Sequence, residues 1–378
     1  MWTATLILAI LLFLYPFAIY PALLWLFARG KSVLENANFS EPVFPSVALV
    51  ICALNEQKII RQKLENCLNL RYPKGKLSIV VVSDGSTDTT AVIVREYERH
   101  GIELIDQHTR RGKIANLNQV LPARSGEILV LSDANVLYEP DALMHLIPRF
   151  RDPEIGCVSG KVILTDSTPE LDRPTADYYS IEWYLQEKSS AIYSMVGADG
   201  AMYAIRRELF QPCPNDTLIE DFIIPIAVIR KGKRTVFEPR AIGWEQGPSS
   251  LREEFRRKVR ISAGSIQGVL RGNAWPVNAP LPFWFIFLSH KLLRWLSPVL
   301  GFLILILSSL TLGQLFSEFV VGGFLLMSSL ALLRILTGWT HPLLSAPFYF
   351  LFGQTALAWG IVKGITGQQT VLWAKADR

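Results

Sequence analysis

Two apolar segments that each end in Ser-Asp constrain the fold more than any other feature. Leu77–Asp84 reads LSIVVVSD, and Glu127–Asn135 reads EILVLSDAN. Uninterrupted runs of this kind are typical of strands buried on both faces of a parallel sheet. Ligands of open α/β sheets bind outside the carboxyl ends of the strands, so Asp84 and Asp133 are predicted to face a crevice. Helix capping could explain one such residue, but two of them favour a binding site.

Around these segments the chain alternates strand-like and helix-like stretches. Strands are predicted at Val47–Cys52, Leu77–Val82, Ile102–Ile105 and Ile128–Leu131, and helices at Gln57–Leu70, Asp88–Arg99, Lys113–Leu121 and Pro140–Phe150. Repeated βα units predict a mostly parallel sheet with right-handed crossovers. Beyond Pro153 the pattern is less regular, with strands predicted at Gly156–Leu164, within Met195–Ile205 and at Thr235–Phe237, and helices at Asp177–Ser190, Leu218–Arg230 and Ser250–Leu270.

The amino-terminal residues are predicted to cross a membrane. Residues 3–28 carry no charge, and 26 residues are enough to span a hydrocarbon core of about 30 Å. A signal peptide is the alternative, but the run is too long for one and no basic segment precedes it. Residues 1–30 are therefore predicted to be an uncleaved anchor in the inner (plasma) membrane. Arg29 and Lys31 place the following segment in the cytoplasm by the positive-inside rule.

A second apolar block occupies the carboxyl-terminal third. Three spans are predicted within residues 296–363, at Leu296–Leu312, Leu315–Leu336 and Leu343–Val362. Residues 276–295 mix aromatic side chains with His290, Lys291 and Arg294, which indicates a helix lying in the interface. Three spans would put the tail, residues 364–378, outside, whereas its basic residues favour the inside, and the sequence leaves this open.

The net charge of +5 does not indicate a nucleic-acid ligand. The basic residues within Arg252–Arg260 precede the membrane block, where they would face anionic headgroups. The four cysteines show neither paired nor metal-ligand spacing, which is typical of free thiols in a reducing compartment.

Two turns in the first half have the composition of a nucleotide site. Ser83–Asp88, SDGSTD, combines a strand-end carboxylate with a glycine turn, so Asp84 could accept hydrogen bonds from a base or a ribose. A plain turn with a helix cap at Ser86 or Thr87 is the simpler interpretation. Arg110–Asn118, RRGKIANLN, places basic residues on a glycine turn, which suits a phosphate but also a solvated loop.

Carboxylates elsewhere suggest a cation site and a base. Asp133 and Asn135 offer oxygen ligands suited to Mg²⁺ or Mn²⁺. Asp199 stands in GADG, where the backbone can approach a substrate closely, although an ordinary tight turn has the same composition. Glu220 and Asp221 begin a helix, either as partners of its dipole or as a general base near the reacting centre.

Taken in this order, the motifs resemble those of the membrane-bound family 2 glycosyltransferases, which include bacterial cellulose, hyaluronan and poly-N-acetylglucosamine synthases. The resemblance implies an α/β fold of the glycosyltransferase-A type, Rossmann-like with a mixed sheet, as a cytoplasmic domain at residues 42–271. It also implies inverting transfer of a hexose from a UDP-sugar. The nucleotide and donor residues implied are Ala53, Asn55, Glu56, Asp84, Lys113 and Asp133.

The same resemblance extends to the remaining site residues. Asp133 matches the first carboxylate of the metal motif and Asn135 its second position, while Asp199 and Gly200 match the acceptor side. Ile219-Glu220-Asp221 is similar to the family's TED motif, whose final Asp is the base, here Asp221.

One family motif is altered. Arg257 and Arg260 would contact the diphosphate in place of the QxxRW segment, with Arg257 at the Gln and Ile261 at the Trp. Because that Trp supports an acceptor sugar, its loss counts against processive polymerisation, whereas the membrane block favours it.

The predicted function is transfer to a growing surface polysaccharide or another membrane-associated acceptor. Single transfer to a lipid and a non-catalytic nucleotide-sugar-binding subunit are the alternatives. The expected partners are a nucleotide sugar, a carbohydrate or lipid acceptor and the membrane, and an accessory export subunit is left open.

Overall fold

A mixed sheet joins both halves of the region between the apolar ends. The structure is a computed structural model that describes residues 2–31, 44–165 and 172–372, with the backbone alone over 172–178. The strands in these ranges are β1 (Val47–Ala53), β2 (Leu77–Asp84), β3 (Ile102–Gln107), β4 (Ile128–Asp133), β5 (Val136–Tyr138), β6 (Ile155–Thr165), β7 (Met202–Arg206) and β8 (Arg234–Gln246). Their spatial order is β3-β2-β1-β4-β7-β6-β8-β5.

The first four strands in this order confirm the predicted parallel arrangement. Strand β1 lies between β2 and β4 and runs parallel to both, with Ala53 opposite Ser83 and Cys52 opposite Asp133. The carboxyl ends of the three strands therefore meet at one edge. Beyond β4 the direction changes, because β7 is antiparallel to β4 and to β6, while β8 runs parallel to β6 and antiparallel to β5.

The helices surround this sheet and continue into the apolar ends. They are α1 (Trp2–Leu14), α2 (Tyr20–Phe27), α3 (Ile60–Leu68), α4 (Thr90–Glu96), α5 (Lys113–Val120), α6 (Ala142–Leu146), α7 (Asp172–Ile192), α8 (Glu220–Arg230), α9 (Leu251–Leu270), α10 (Leu281–Ile286), α11 (Leu293–Trp295), α12 (Ser297–Leu310), α13 (Leu315–Thr337) and α14 (Pro342–Thr366). One π-helical segment, Tyr15–Ile19, joins α1 to α2, and another, Phe287–Leu292, joins α10 to α11.

The central strands bury both of their faces, as their unbroken apolar sequences predict. Leu49, Ile51 and Val81 point into a core covered by α3, α4 and α6. Val50 and Val82 point into a second core covered by α5, α8 and α10. Because side chains alternate along a strand, the two cores hold the sheet between two layers of helices.

The apolar ends contain fewer candidate membrane spans than the sequence predicts. Among the described residues, Trp2–Phe27 and Leu315–Thr337 are each long and apolar enough to cross a membrane. A third candidate exists if Leu281–Trp295 and Ser297–Leu310, which meet at an angle of 60°, form one bent span. The predicted interface helix and the first predicted span are therefore the two arms of one bent pair. Helix α14, which contains the predicted span Leu343–Val362, is not among these candidates.

Helix α14 instead packs along α9. A Cβ on Gly360 would lie 2.4 Å from Cβ of Ser262, and one on Gly364 would lie 2.8 Å from the carbonyl oxygen of Ala263. The chain then returns to the sheet. The side chains of Val371 and Leu372 lie 3.7 and 3.5 Å from the position of a Cβ on Gly112. This part of the tail thus lies on the same side as the sheet, and the tail's basic residues are outside the described residues.

Candidate active site

Asp84, at the end of β2, holds the turn that precedes α5. Its buried carboxylate accepts hydrogen bonds from the backbone N–H of Arg111 at 2.7 Å and of Gly112 at 2.9 Å. The side-chain amide of Asn116 donates to it at 2.8 Å. These charge-assisted bonds fix the basic turn against the strand end. A contact from Asp84 to a base or ribose stays a prediction.

The loops after β1 and β2 are bonded to each other. Asn55, in the left-handed region at φ 55°, donates its backbone N–H to Ser86 Oγ at 3.1 Å and accepts from the N–H of Thr87 at 2.7 Å. The backbone N–H of Glu56 donates to Thr90 Oγ1 at 2.7 Å. The alternative of a helix cap at Ser86 or Thr87 is wrong, because α4 begins at Thr90, and these two residues are hydrogen-bonded to Asn55 instead.

The positions around Ala53 and Gly85 are set by close packing. Ala53 is buried between the strands, opposite Ser83. Gly85 has φ 67°, and a Cβ there would lie 2.6 Å from the backbone nitrogen of Arg110. Only glycine fits so close to the basic turn. The glycine turn predicted within Ser83–Asp88 is thus present at Gly85. Donor binding by Ala53, Asn55 and Glu56 remains a prediction.

Lys113 joins the two halves of the crevice. Its ammonium lies 2.7 Å from Asp133 Oδ1 and 2.5 Å from Glu220 Oε1. Burial alone would lower the pKa of Lys113, but the two carboxylates hold it well above its usual value. Arg111 donates its side chain to Gln119 at 2.8 Å instead. Of these two basic residues, Lys113 is thus the one whose ammonium pairs with the site's carboxylates.

The predicted metal residues lie at the turn between β4 and β5. The side chain of Asp133 is 37% exposed, and the side-chain amide of Asn135 donates to Glu245 Oε1 at 2.9 Å. Within the described residues, no cluster of three His, Cys, Asp or Glu side chains could hold a metal alone. Hard oxygen donors without a protein cage suit a divalent cation that shares its shell with a diphosphate and water. These residues fit such a cation.

Glu245 was not predicted from the sequence. It lies near the end of β8, opposite Val136 of β5, and so reaches the metal turn from more than a hundred residues away. The sequence predicted Thr235–Phe237 alone as strand, whereas β8 runs from Arg234 to Gln246. Pro239 and the charged residues around it hide the strand pattern, and no local signal indicates the pairing with β5.

The predicted acceptor-side residues Asp199 and Gly200 lie next to Asp221. A Cβ on Gly200 would lie 2.7 Å from Asp221 Oδ2, and the N–H of Ala198 donates to the Asp221 carbonyl at 2.8 Å. Burial and the nearby Glu220 raise the pKa of Asp221 to about 7, against the opposing charges of Lys113 and Arg260. A carboxyl of this pKa can exchange a proton near neutral pH.

Asp199 has a similar environment. Burial and the charge of Glu245 raise its pKa to about 7, although the N–H of Ala201 donates to its Oδ1 at 3.1 Å and opposes the change. Its own N–H donates to Ser159 Oγ at 2.9 Å. Glu220 differs from both, because its buried carboxylate is paired with Lys113. Of the two acidic residues that begin α8, Asp221 is therefore the better candidate for the predicted base.

The two predicted diphosphate residues occupy α9 in different ways. Arg257 donates to Glu254 at 2.8 Å and to the hydroxyl of Tyr179 at 2.9 Å. Arg260 donates to the carbonyl of Leu218 at 3.2 Å, and its positive charge partly opposes the rise in the pKa of Asp221. Ile261, at the position of the family's Trp, is 40% exposed. Contacts from either arginine to a diphosphate remain predictions.

Known proteins share this sequence pattern and fold. The model of the family "Glycosyltransferase like family 2" matches residues 45–264. The probable glycosyltransferase YdaM of Bacillus subtilis is 30% identical over 238 residues, which cover 60% of this chain and 57% of that protein. The poly-beta-1,6-N-acetyl-D-glucosamine synthase of Staphylococcus epidermidis is 24% identical over 61% of this chain and 57% of its own length.

A lipid-related enzyme and a solved structure are also similar. The beta-monoglucosyldiacylglycerol synthase of Nostoc is 27% identical over 50% of this chain and 40% of its own length. The matched part of the chain thus spans about half the length of these relatives. The mannosyltransferase PcManGT from Pyrobaculum calidifontis, solved in complex with GDP-Man and Mn²⁺, superposes with a TM-score of 0.76, 21% identity, and coverage of 98% of this chain and 100% of that one.

The superposition confirms the predicted fold of the glycosyltransferase-A type, with a mixed sheet and apolar helices at both ends. The family match covers more than half of the chain and contains the turns that hold Asp84, Asp133, Asp199 and Asp221. The chain therefore belongs to the glycosyltransferase family 2.

Proposed function

We propose that this protein transfers a hexose, with inversion, from a nucleotide diphosphate sugar to a membrane-associated acceptor. UDP is the nucleotide expected, and a growing surface polysaccharide is the acceptor we favour. The observation that carries the proposal is that Lys113 pairs with both Asp133, at the carboxyl end of β4, and Glu220, the residue next to Asp221 at the start of α8. The same site thus offers positive charge to compensate a diphosphate and a carboxylate to accept the proton of a hydroxyl.

In this proposal each residue has one task. The turn held by Asp84 and the loop around Asn55 shape the nucleotide pocket. Lys113 and Arg260 offset the negative charge of the departing diphosphate. Asp133 and Asn135 would hold Mg²⁺ or Mn²⁺, which when bound supplies Lewis-acid stabilisation of that leaving group.

Residues of α8 and of the turn before β7 act on the acceptor in this proposal. Asp221 takes the proton of the acceptor hydroxyl, whose oxygen attacks the anomeric carbon as the bond to the diphosphate breaks on the opposite face. A pKa of about 7 suits this task, because the base is partly ionised near neutral pH and still basic enough to accept a proton. Gly200 leaves room for the carboxylate, and Asp199 lines the acceptor side.

Transfer of one sugar to a lipid is the second candidate. The feature that favours it is Ile261, an exposed aliphatic residue where a polymerising enzyme would present a Trp to the acceptor sugar. A non-catalytic subunit would bind the nucleotide sugar without turnover. Such a subunit would have no need of a buried carboxylate with a pKa raised to about 7 beside the nucleotide turn.

We further propose a multi-pass arrangement in the inner membrane with the catalytic domain in the cytoplasm. Trp2–Phe27 would be the anchor, and the bent pair and α13 would provide the two later crossings. Helix α10, in the first arm of the pair, covers the second core and would lie at the membrane surface, as would α14 along α9. Two crossings after the catalytic domain return the tail to the cytoplasm, which agrees with the position of Leu372 beside Gly112. An accessory export subunit remains an open partner.

The test is release of nucleoside diphosphate by the detergent-purified full chain. A panel of UDP-sugars and a GDP-sugar would be supplied with Mg²⁺ or Mn²⁺, with and without membrane lipid extract. Release with one donor that disappears with chelator and in Asp133→Ala is expected. Nucleotide binding without release under every condition would support the non-catalytic subunit instead.

Product size then separates the two acceptor classes. A single radiolabelled sugar that extracts into organic solvent would establish transfer to lipid. A ladder of water-soluble or membrane-retained products would establish polymerisation.

A further inference from the structure

A buried lysine that no family motif includes lies beneath the metal turn. Lys63, on α3, is 0% exposed. Its ammonium donates to Ser132 Oγ at 2.8 Å and to the carbonyl of Val136, and it lies 4.2 Å from the ring centroid of Tyr138. Among the ion pairs of the described residues none includes Lys63, and the charge of Asp133 opposes only part of the effect of burial on its pKa.

Packing alone does not account for a charge at this position. Lysine is almost never fully buried unless it is paired, and removing an ammonium from water is costly. Burial accordingly lowers the pKa of Lys63. A methionine would fill the same space in the core between α3 and the sheet without this cost. The hydrogen bonds of Lys63 therefore indicate a task beyond packing.

Those bonds bracket the predicted metal residues. Ser132 precedes Asp133 and Val136 follows Asn135, so one ammonium holds both ends of the three-residue turn. The hydroxyl of Ser132, fixed as an acceptor of Lys63, donates in turn to the carbonyl of Asp133 at 3.0 Å. The backbone that presents the Asp133 side chain is thereby tied to α3.

The next turn of α3 reinforces this arrangement. Asn66 donates to the carbonyl of Tyr138 at 2.7 Å and accepts from its N–H at 2.8 Å, as a neighbouring strand would. The hydroxyl of Tyr138 lies 3.4 Å from the carbonyl oxygen of Leu131 in β4 and 3.5 Å from that of Ala201. Lys63 and Asn66 thus hold both the metal turn and the strand that follows it against α3.

We propose that Lys63 is a positioning residue, which fixes the Asp133–Asn135 turn in the geometry that a divalent cation requires. Groups that orient metal ligands from behind commonly contribute 10- to 100-fold to affinity. The inference rests on the proposed metal-dependent function, and it assigns the orientation of that turn to a residue outside the ligand set.

The test measures Mn²⁺ affinity directly, by electron paramagnetic resonance titration of the full chain in detergent with UDP present. Lys63→Met keeps an unbranched chain and removes every donor. We expect Mn²⁺ to bind about 10- to 100-fold more weakly to this variant, while UDP binding without metal is unchanged. Val94→Ala is the matched control, because it removes buried volume from the same core face at α4 and should lower Tm without altering Mn²⁺ affinity.

A double-mutant cycle tests whether the effect passes through Ser132. If Lys63 acts by fixing that hydroxyl, the double variant should lose less Mn²⁺ affinity than the product of the fold losses in Lys63→Met and Ser132→Ala. Should Lys63→Met not fold, Ser132→Ala and Lys63→Gln carry the same affinity measurement. A smaller loss of Mn²⁺ affinity in each of these two variants would support the proposal, and wild-type Mn²⁺ affinity in both would overturn it.

Two negative results are distinguishable. Wild-type Mn²⁺ affinity in a folded Lys63→Met variant, whatever its Tm, would overturn the positioning role of Lys63 and leave the proposed function intact. Failure of the wild-type chain itself to bind Mn²⁺ with any nucleotide would overturn the metal-dependent function, and this inference with it.

Discussion

The two sides of the candidate site are held by different forces. On the nucleotide side, the loops after β1 and β2 and the turn before α5 are fixed by hydrogen bonds to backbone N–H groups, with Asp84 and Asn55 as the main acceptors. On the acceptor side, Asp199 and Asp221 are buried near other carboxylates, and their pKa values rise to about 7.

This difference matches what the proposed function requires of each side. Hydrogen bonds among short loops give a rigid shape, which is what recognition of a nucleotide requires. Burial and like charge raise the free energy of ionised carboxylates, which makes them better proton acceptors and less stable. Substitutions on the acceptor side should therefore change the rate of transfer, and those on the nucleotide side should change binding.

The largest effect is expected at Asp221. Asp221→Asn removes the proton acceptor, and transfer should fall by about 10²- to 10⁴-fold with unchanged nucleotide affinity. Initial rates and calorimetric titration with UDP would measure the two quantities. Asp216→Asn is the control, because Asp216 is 59% exposed and pairs with Arg271 on the surface. Turnover retained in Asp221→Asn would refute the assignment of the base.

A steric change on the same side should have the next largest effect. In Gly200→Ala the new Cβ would lie 2.7 Å from Asp221 Oδ2, so the carboxylate must shift. Displacement of a catalytic group by about 1 Å can reduce a rate about 10²-fold. The turnover number of Gly200→Ala is compared with that of Gly353→Ala, whose Cβ would meet nothing within 4 Å. Equal rates in the two variants would show that the packing of Gly200 against Asp221 is unimportant.

Asp84 should affect binding more than turnover. Asp84→Asn weakens the charge-assisted bonds to Arg111 and Gly112, which loosens the basic turn. We expect nucleotide affinity to fall about tenfold, the equivalent of about 1.4 kcal/mol, with a smaller change in turnover at saturating donor. Asp106→Asn, which removes an exposed pair with Arg95, should leave both unchanged. A loss confined to turnover would contradict the division between the two sides.

The smallest effect concerns stability against pH. The pKa of Asp199 is raised from 3.8 to about 7. Its favourable contribution to the free energy of unfolding is therefore complete below pH 3.8 and is lost as the pH rises through 7. Asp199→Asn should therefore have a higher Tm than the wild type at pH 8 and differ less from it at pH 5.

Glu254 provides the opposite case for the same measurement. Burial would raise the pKa of Glu254, but Arg257 and Lys258 hold it below its usual value. Its contribution is therefore present above its unfolded pKa and is lost as the pH falls through the folded value. Glu254→Gln should lower Tm at pH 8. Thermal melts of both variants at the two pH values would check the signs, and equal shifts in one direction would contradict them.

The sequence by itself determined the four parallel strands β1 to β4 and the places of the acidic residues that follow their apolar runs. Apolar runs such as Leu77–Asp84 need no partner to be recognised, because burial on both faces requires an unbroken hydrophobic segment. The positions of Asp84 and Asp133 at strand ends, and of Asp221 at the start of α8, follow from the same local pattern.

Tertiary structure alone decided which side chains meet. The pairing of Lys113 with Glu220, the approach of Glu245 to Asn135 and the support of the metal turn by Lys63 all join residues far apart in the chain. Local periodicity reports burial of a residue but not the identity of its neighbour. For the same reason the sequence left the side of the tail open, whereas the packing of α14 along α9 brings Leu372 back to the crevice.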